Sequence, residues 1–224
     1  MIMSDLHANH EEKQVWSLPR INSKAPEFEA TTTHGTLRLK DYEGKWLVLF
    51  SHPADFTPVC TTEFVAFQEI YPQLREMDTE LLGLSIDSVH SHIAWIRNIE
   101  KNFHVEIEFP VIADLNKDVA QKYGMIMPDE SSTETSRAVF IIDDKGKVRS
   151  IIYYPLSTGR NMDEIVRAVK ALQTTDKYGY ATPANWQEGD KVIVPPSTTT
   201  KGAKEREADE GMECVDWYLC KKDL

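Results

Sequence analysis

The sequence predicts an α/β fold in which a mixed central sheet is flanked by helices and followed by an extended C-terminal arm. Three observations carry this expectation. Short apolar runs alternate with stretches whose apolar residues recur at helical spacing. Further along, two apolar segments flank a tight polar turn, the mark of an antiparallel hairpin, and a helical pattern follows them. From Gly179 onward, prolines and charges replace the periodic pattern.

Taken in order, Trp46-Leu47-Val48-Leu49-Phe50 is a continuous apolar run, suited to a strand covered on both faces. Phe64, Phe67, Ile70 and Leu74 then recur at helical intervals. Leu81–Ser85 reads as a second strand and His90–Lys101 as a helix that turns Ile93, Ile96 and Ile99 inward. A short strand around Pro110–Ala113 precedes a helix over Asn116–Tyr123, stopped by Gly124. Arg137–Ile142 and Lys147–Tyr153 flank Asp143-Asp144-Lys145-Gly146 as a hairpin. The last helix runs from about Asn161 to Thr174, with Asp163 and Glu164 favourably placed in its first turn. These limits define an N-terminal extension over residues 1–23, a folded domain over 24–178 and an arm over 179–224. The arm's end, Met212–Cys220, places Trp217 and Tyr218 between two cysteines, which is too apolar for a segment left in water and implies docking onto another surface.

The 224 residues are 41% hydrophobic and carry a formal charge of -11, which excludes a basic footprint for nucleic acid. No apolar run reaches the roughly 20 residues that span a bilayer, and residues 1–20 lack the apolar core of a secretory signal, so a cytoplasmic protein without membrane contact is expected. Three cysteines are too few, and odd in number, for a secreted disulfide scaffold.

Cys60 is the residue with the clearest chemistry. Thr57-Pro58 is a helix-start signal, with Thr57 at the cap and Pro58 at the first helical position. Cys60 then falls in the first turn, where unpaired backbone N–H groups and the helix dipole favour a thiolate. The alternative is a small apolar residue in the core.

The string His52-Pro53-Ala54-Asp55-Phe56-Thr57-Pro58-Val59-Cys60-Thr61-Thr62-Glu63 resembles the signature of the peroxiredoxins, and in detail their peroxiredoxin 6-like branch. Separated motifs agree: Ser85-Ile86-Asp87-Ser88 followed by His92 and Trp95, the Arg137 strand, Tyr154–Asn161 and Ala181–Trp186. The resemblance spans roughly residues 24 to 195. It implies a thioredoxin-like fold and a peroxidase in which Cys60 attacks the peroxide O–O bond and becomes a sulfenic acid, with neither metal nor organic cofactor. Pro53 would shield the sulfur, Thr57 would hydrogen-bond thiolate and peroxide, and Arg137 would lie beside both. Glu63 would orient Arg137, His52 would line the peroxide entrance, and Arg160 also matches a position around that site.

Cys214-Val215-Asp216-Trp217-Tyr218-Leu219-Cys220 is similar to the tail element of archaeal-type members. The similarity implies that Cys220 of a neighbouring subunit resolves the sulfenic acid and that Cys214 can exchange with it. A thioredoxin-like or other thiol donor would then recycle the enzyme, in a homodimer assembled into a ring, a decamer rather than a dodecamer. Inert tail thiols are the alternative. The spacing of the pair, with no histidine following, is wrong for zinc. A phospholipase site found in some peroxiredoxin 6 proteins is not expected, because Lys40-Asp41 and Glu43-Gly44-Lys45-Trp46 occupy its positions. A dithiol oxidoreductase lacks its C-x-x-C, and a peroxide-responsive holdase or scaffold is the rival from another class.

Overall fold

The computed structural model describes residues 18–224 except Ala208 and Glu210; of the expected N-terminal extension, residues 1–17 lie outside the described residues. Ten strands are present among the described residues: β1 (Glu29–Thr32), β2 (Gly35–Arg38), β3 (Trp46–Ser51), β4 (Thr79–Ser85), β5 (Val111–Ala113), β6 (Arg137–Ile142), β7 (Val148–Tyr154), β8 (Val192–Val194), β9 (Glu213–Asp216) and β10 (Leu219–Lys222). The helices are α1 (Pro58–Glu76), α2 (Val89–Phe103), α3 (Asp118–Lys122), α4 (Met162–Tyr178) and α5 (Thr200–Glu207).

The first seven strands form one mixed sheet in the order β2-β1-β5-β4-β3-β6-β7. β3, β4 and β5 run parallel, whereas β6 is antiparallel to β3 and β7 antiparallel to β6. Trp46–Ser51 is buried along its whole length, as its unbroken apolar run requires of a strand with layers on both faces. One face carries α1, α2 and α4 over Val48, Phe50, Leu81 and Val139; the other packs Leu47, Leu49, Leu82 and Phe140 against Phe28, Tyr123 and Met125. Phe50 stacks on Phe67 with ring centroids 3.9 Å apart and meets Phe64 and Phe109 edge-on. The hairpin turn is closed by Asp143, whose Oδ1 accepts from the N–H groups of Lys145 and Lys147, and Gly146 sits at φ 70°.

Two expectations are corrected. In α2 the inward face is His92, Trp95 and Ile99, while Ile93 is 42% exposed. Intervals of three and four from His92 set the buried stripe, and Ile93 falls one residue outside it. The arm, expected to be extended, folds: β8, β10 and β9 form a three-stranded antiparallel sheet in that order, with α5 inserted between β8 and β9. It is fastened to α4 through Lys170–Glu188 at 2.6 Å and through Arg167, which donates to the Trp186 carbonyl at 3.4 Å. Trp186 itself is buried and donates Nε1 to the Asp190 carbonyl at 3.0 Å.

Candidate active site

β3 ends at Ser51 and hands the chain to a loop over residues 52–57, from which α1 starts. Thr57 occupies the cap position with extended backbone and Pro58 the first helical position, as the sequence requires. The hydroxyl does not cap, however; Thr57 Oγ1 donates to the Ala54 carbonyl at 2.9 Å and thereby closes the loop on itself. Pro53 is buried, and Cys60, in the first turn, is fully buried.

The floor of the site is built by ties between β3 and β6. Ser51 Oγ donates to the Ser136 carbonyl at 2.6 Å and accepts from Ala138 N, while Thr135 Oγ1 donates to the His52 carbonyl at 2.7 Å. These bonds bring Arg137, first residue of β6, under α1. Its Nη1 donates to Cys60 Sγ at 3.3 Å and to Glu63 Oε2 at 2.7 Å, and Nε and Nη2 hold the Leu156 carbonyl at 3.0 and 2.7 Å. The guanidinium therefore has little freedom, and one of its N–H bonds is aimed at the sulfur.

Glu63 is shared between two arginines. Arg160 donates Nη2 to Oε2 at 2.6 Å, and both Nε and its backbone N to Oε1 at 3.0 and 2.9 Å. Arg160 Nη1 bonds the carbonyls of Ser51 and Ala138, and its guanidinium lies 5.2 and 5.1 Å from the Phe50 and Phe67 ring centroids. Burial pulls Arg160 below the usual arginine range, against the opposing pull of Glu63. One buried carboxylate with two buried guanidiniums leaves a net positive charge beside Cys60.

A second buried cluster lies alongside. His52 Nε2 donates to Asp55 Oδ1 at 3.0 Å, and His92 Nδ1 lies 2.9 Å from Asp55 Oδ2. His92 Nε2 meets the Ile112 carbonyl at 3.1 Å, and Ser91 Oγ donates to Asp55 Oδ2 at 2.7 Å. His52 is fully buried, its ring 4.8 Å from Phe64 and 5.1 Å from Trp95, so it sits in this network and does not line an open entrance. Its Nδ1 has no hydrogen-bond partner among the described residues. Burial lowers the His52 pKa, outweighing the bond to Asp55. Burial pushes the Asp55 carboxyl upward, but hydrogen bonds from His52 and His92 outweigh it and hold the group below the usual carboxylate range. These three residues are the group among the described residues whose ligand atoms converge, within 4.8 Å, in a way that could hold a metal ion. Their mutual hydrogen bonds already occupy most of those atoms.

The sequence motifs contained Glu63, Arg137 and Arg160, and the fold brings all three together at Cys60. Asp55 and His92 stood in motifs without a role, and the supports from Ser51, Thr135 and the Leu156 carbonyl were missed. Leu156 lies within the Tyr154–Asn161 motif but acts through its backbone carbonyl, whereas Ser51 and Thr135 lie outside every motif. Cys214 and Cys220 lie apart from this site, opposite each other on β9 and β10, and are joined in a disulfide.

A buried helix-start thiol pinned against a guanidinium, on a thioredoxin-like sheet, belongs to a protein of thiol redox chemistry. Residues 21–151 match the AhpC/TSA family, and residues 171–209 match the C-terminal domain of 1-Cys peroxiredoxin. The chain is 56% identical over 222 residues to a peroxiredoxin of Aquifex aeolicus, covering 94% of this chain and 100% of that one. It is 54% identical over 217 residues to one of Methanocaldococcus jannaschii, covering 92% and 100%. A yeast mitochondrial 1-Cys peroxiredoxin structure superposes with a TM-score of 0.83 at 42% identity, over 92% of this chain and 100% of that chain. Peroxiredoxin 6 of Arenicola marina gives 0.82 at 37% identity, over 91% and 97%. The chain thus belongs to the peroxiredoxin family and is a peroxidase.

Proposed function

We propose that Cys60 is the residue that reduces peroxide, acting on hydrogen peroxide and organic hydroperoxides. The observation that carries this reading is the 3.3 Å contact from Arg137 Nη1 to Cys60 Sγ, with the same Nη1 held by Glu63. The Cys60 thiolate attacks one peroxide oxygen and the O–O bond breaks. Its electron pair leaves on the distal oxygen, which takes a proton and departs as water or an alcohol, leaving Cys60 as the sulfenic acid. Arg137 stabilises the charge developing on the oxygens, Glu63 and Arg160 hold Arg137 in place, and Pro53 keeps water away. Thr57 donates to the incoming peroxide by turning its hydroxyl from the Ala54 carbonyl. Its present bond to that carbonyl shows the hydroxyl within the loop that covers the helix start.

The sulfenic acid is resolved by Cys220 of a neighbouring subunit, forming a disulfide and releasing water; Cys214 then displaces Cys60 and leaves the Cys214–Cys220 disulfide. The cross-strand placement of the two cysteines supports this last state. A thioredoxin-type donor completes the cycle, in keeping with the yeast relative, whose thiol is described as resolved through glutathione and thioredoxin systems. The working unit is a homodimer within a ring, acting in the cytoplasm, with residues 24–178 as catalytic domain and 179–224 as resolving arm. Among the described residues, no helix is long and apolar enough to cross a membrane.

Peroxide turnover by wild type, Cys60→Ser and Cys220→Ser, each with a thioredoxin system and with a small thiol, tests the scheme. Loss of all turnover in the first variant and of thioredoxin-dependent turnover in the second is expected. Undiminished thioredoxin-dependent turnover by Cys220→Ser would remove the resolving role.

A further inference from the structure

The guanidinium of Arg137 meets Cys60, Glu63 and the Leu156 carbonyl, and the last of these contacts leads out to the surface. Nε and Nη2 share that carbonyl at 3.0 and 2.7 Å, so the place of the oxygen sets the tilt of the guanidinium plane and with it the aim of Nη1 at the sulfur. Leu156 is only half-buried, in a loop where Pro155, Ser157, Thr158 and Gly159 are all exposed. Packing therefore does little to hold the carbonyl still. The residue is held instead through its other peptide group: Leu156 N donates to Glu130 Oε1 at 2.6 Å, across 26 positions of sequence.

Glu130 is exposed, yet it is not a loose surface acid. Its loop, residues 126–135, is closed at the base by Ser136 N, which donates to the Met125 carbonyl at 2.8 Å. Inside the loop, Glu130 N and Ser131 N both donate to the Met127 carbonyl at 2.9 Å, and Ser131 Oγ accepts from Glu134 N at 3.0 Å. Lys117 Nζ braces it from outside by donating to the Ser132 carbonyl at 3.0 Å. The loop ends at Thr135, whose hydroxyl donates to the His52 carbonyl, and Arg137 follows two positions later. One segment thus delivers Arg137 beneath α1 and, from its middle, grips the residue that orients the far edge of the guanidinium.

We propose that Glu130 is a positioning residue of the peroxide step, acting on Arg137 through the backbone of Leu156. The inference rests on the reading in which Cys60 reduces peroxide beside Arg137. Without the Glu130 acceptor the Leu156 N–H turns to water and the carbonyl shifts, taking Nη1 away from the charge that develops on the peroxide oxygens. A misplacement on the order of 1 Å is enough to slow a reaction by up to about a hundredfold. What the geometry uses is an acceptor oxygen at the position of Oε1, which a glutamine side chain also supplies.

The test is single-turnover oxidation of reduced protein by hydrogen peroxide, followed by stopped flow. Glu130→Ala should slow it at least ~tenfold, and Glu130→Gln should stay within about twofold of wild type. Lys117→Met removes a brace of the same loop that does not reach Leu156, and should also stay within about twofold. Arg137→Lys loses the planar fork that holds the Leu156 carbonyl and the sulfur together, so Glu130→Ala should add no further loss in that background. An unchanged rate in Glu130→Ala would overturn the assignment, as would equal slowing by Glu130→Gln, which would make the charge responsible. Equal slowing by Lys117→Met would give the effect to loop rigidity and overturn it too, and so would a full additional loss in the Arg137→Lys background. The reading underneath fails separately: turnover undiminished by Cys60→Ser or by Arg137→Lys would remove it and this inference together, whereas a negative result at Glu130 alone leaves it standing.

Discussion

Replacing Glu63 by Gln removes the only negative charge in the buried Arg137–Glu63–Arg160 cluster while keeping the side chain's shape. Glu63 accepts four hydrogen bonds, from Arg137 Nη1, Arg160 Nη2, Arg160 Nε and Arg160 N, and all three residues are less than a tenth exposed. A glutamine amide can accept on one side only; its NH2 then confronts guanidinium donors that stand 2.6 to 2.7 Å from the present Oε2. Two guanidiniums are left without a counter-charge, and breaking a buried pair from one side costs about 3–5 kcal/mol. For a chain of this size each kcal/mol lowers the melting temperature by about 2–4 °C, so a fall of about 6–20 °C is expected. The fold should survive, since total stabilities run to about 5–15 kcal/mol. Arg137 keeps the Leu156 carbonyl but loses the bond that orients Nη1, and single-turnover peroxide reduction should slow at least ~tenfold, equivalent to about 1.4 kcal/mol. Thermal melts at fixed protein concentration and stopped-flow mixing with peroxide read both effects. A melting point within about 2 °C of wild type, together with an unchanged rate, would refute the reasoning.

Further outcomes follow from the same geometry. His52 is held neutral by burial, so the unfolded chain binds a proton that the folded one does not as pH falls below the unfolded histidine value of about 6.5; stability therefore drops by up to about 1.4 kcal/mol per pH unit there. Urea midpoints between pH 7.5 and 5.5 should show this slope in wild type and a shallower one in His52→Asn; equal slopes would contradict it. Thr57→Val removes the bond to the Ala54 carbonyl, at about 0.5–1.5 kcal/mol, and should slow the peroxide step at least ~tenfold; a rate within about twofold would remove its assigned role. Gly83→Ala on β4 places a methyl 3.2 Å from Phe50 Cζ and 3.5 Å from Val111, an overpacking that should cost about 1–3 kcal/mol in urea unfolding; a neutral effect would show that this core yields.

The elements legible in the sequence were those whose burial is uniform or strictly periodic. Trp46–Ser51 is covered on both faces, and its first five residues read as an unbroken apolar run; α4 was legible at its start, where Asn161 caps Glu164 N, but it runs past the expected end at Thr174 to Tyr178, where Gly179 terminates it in the left-handed region. The β1–β2 hairpin left no such mark because its residues are mostly exposed or half-exposed. The C-terminal sheet was hidden because its pairing is non-local: Val194 meets Cys220 across the whole of α5, and no local pattern encodes that register. At the site, Thr57-Pro58 placed Cys60 in a helix's first turn, but Arg137 lies 77 positions away and Arg160 97 from Glu63. Their meeting was legible only through family resemblance. Asp55 and His92, 37 positions apart, needed the fold itself, since a lone histidine on a helix face looks the same whether it points to solvent or to a buried carboxylate.

The central claim is that Cys60 is the sulfur that peroxide oxidises. Its most direct test uses protein carrying Cys214→Ser and Cys220→Ser, so that no tail thiol can resolve the product. After one equivalent of hydrogen peroxide in the presence of dimedone, peptide mass spectrometry should find the sulfenic-acid adduct on Cys60, with peroxide consumed one for one and consumption abolished by adding Cys60→Ser. Peroxide consumption that persists without Cys60 would contradict the account.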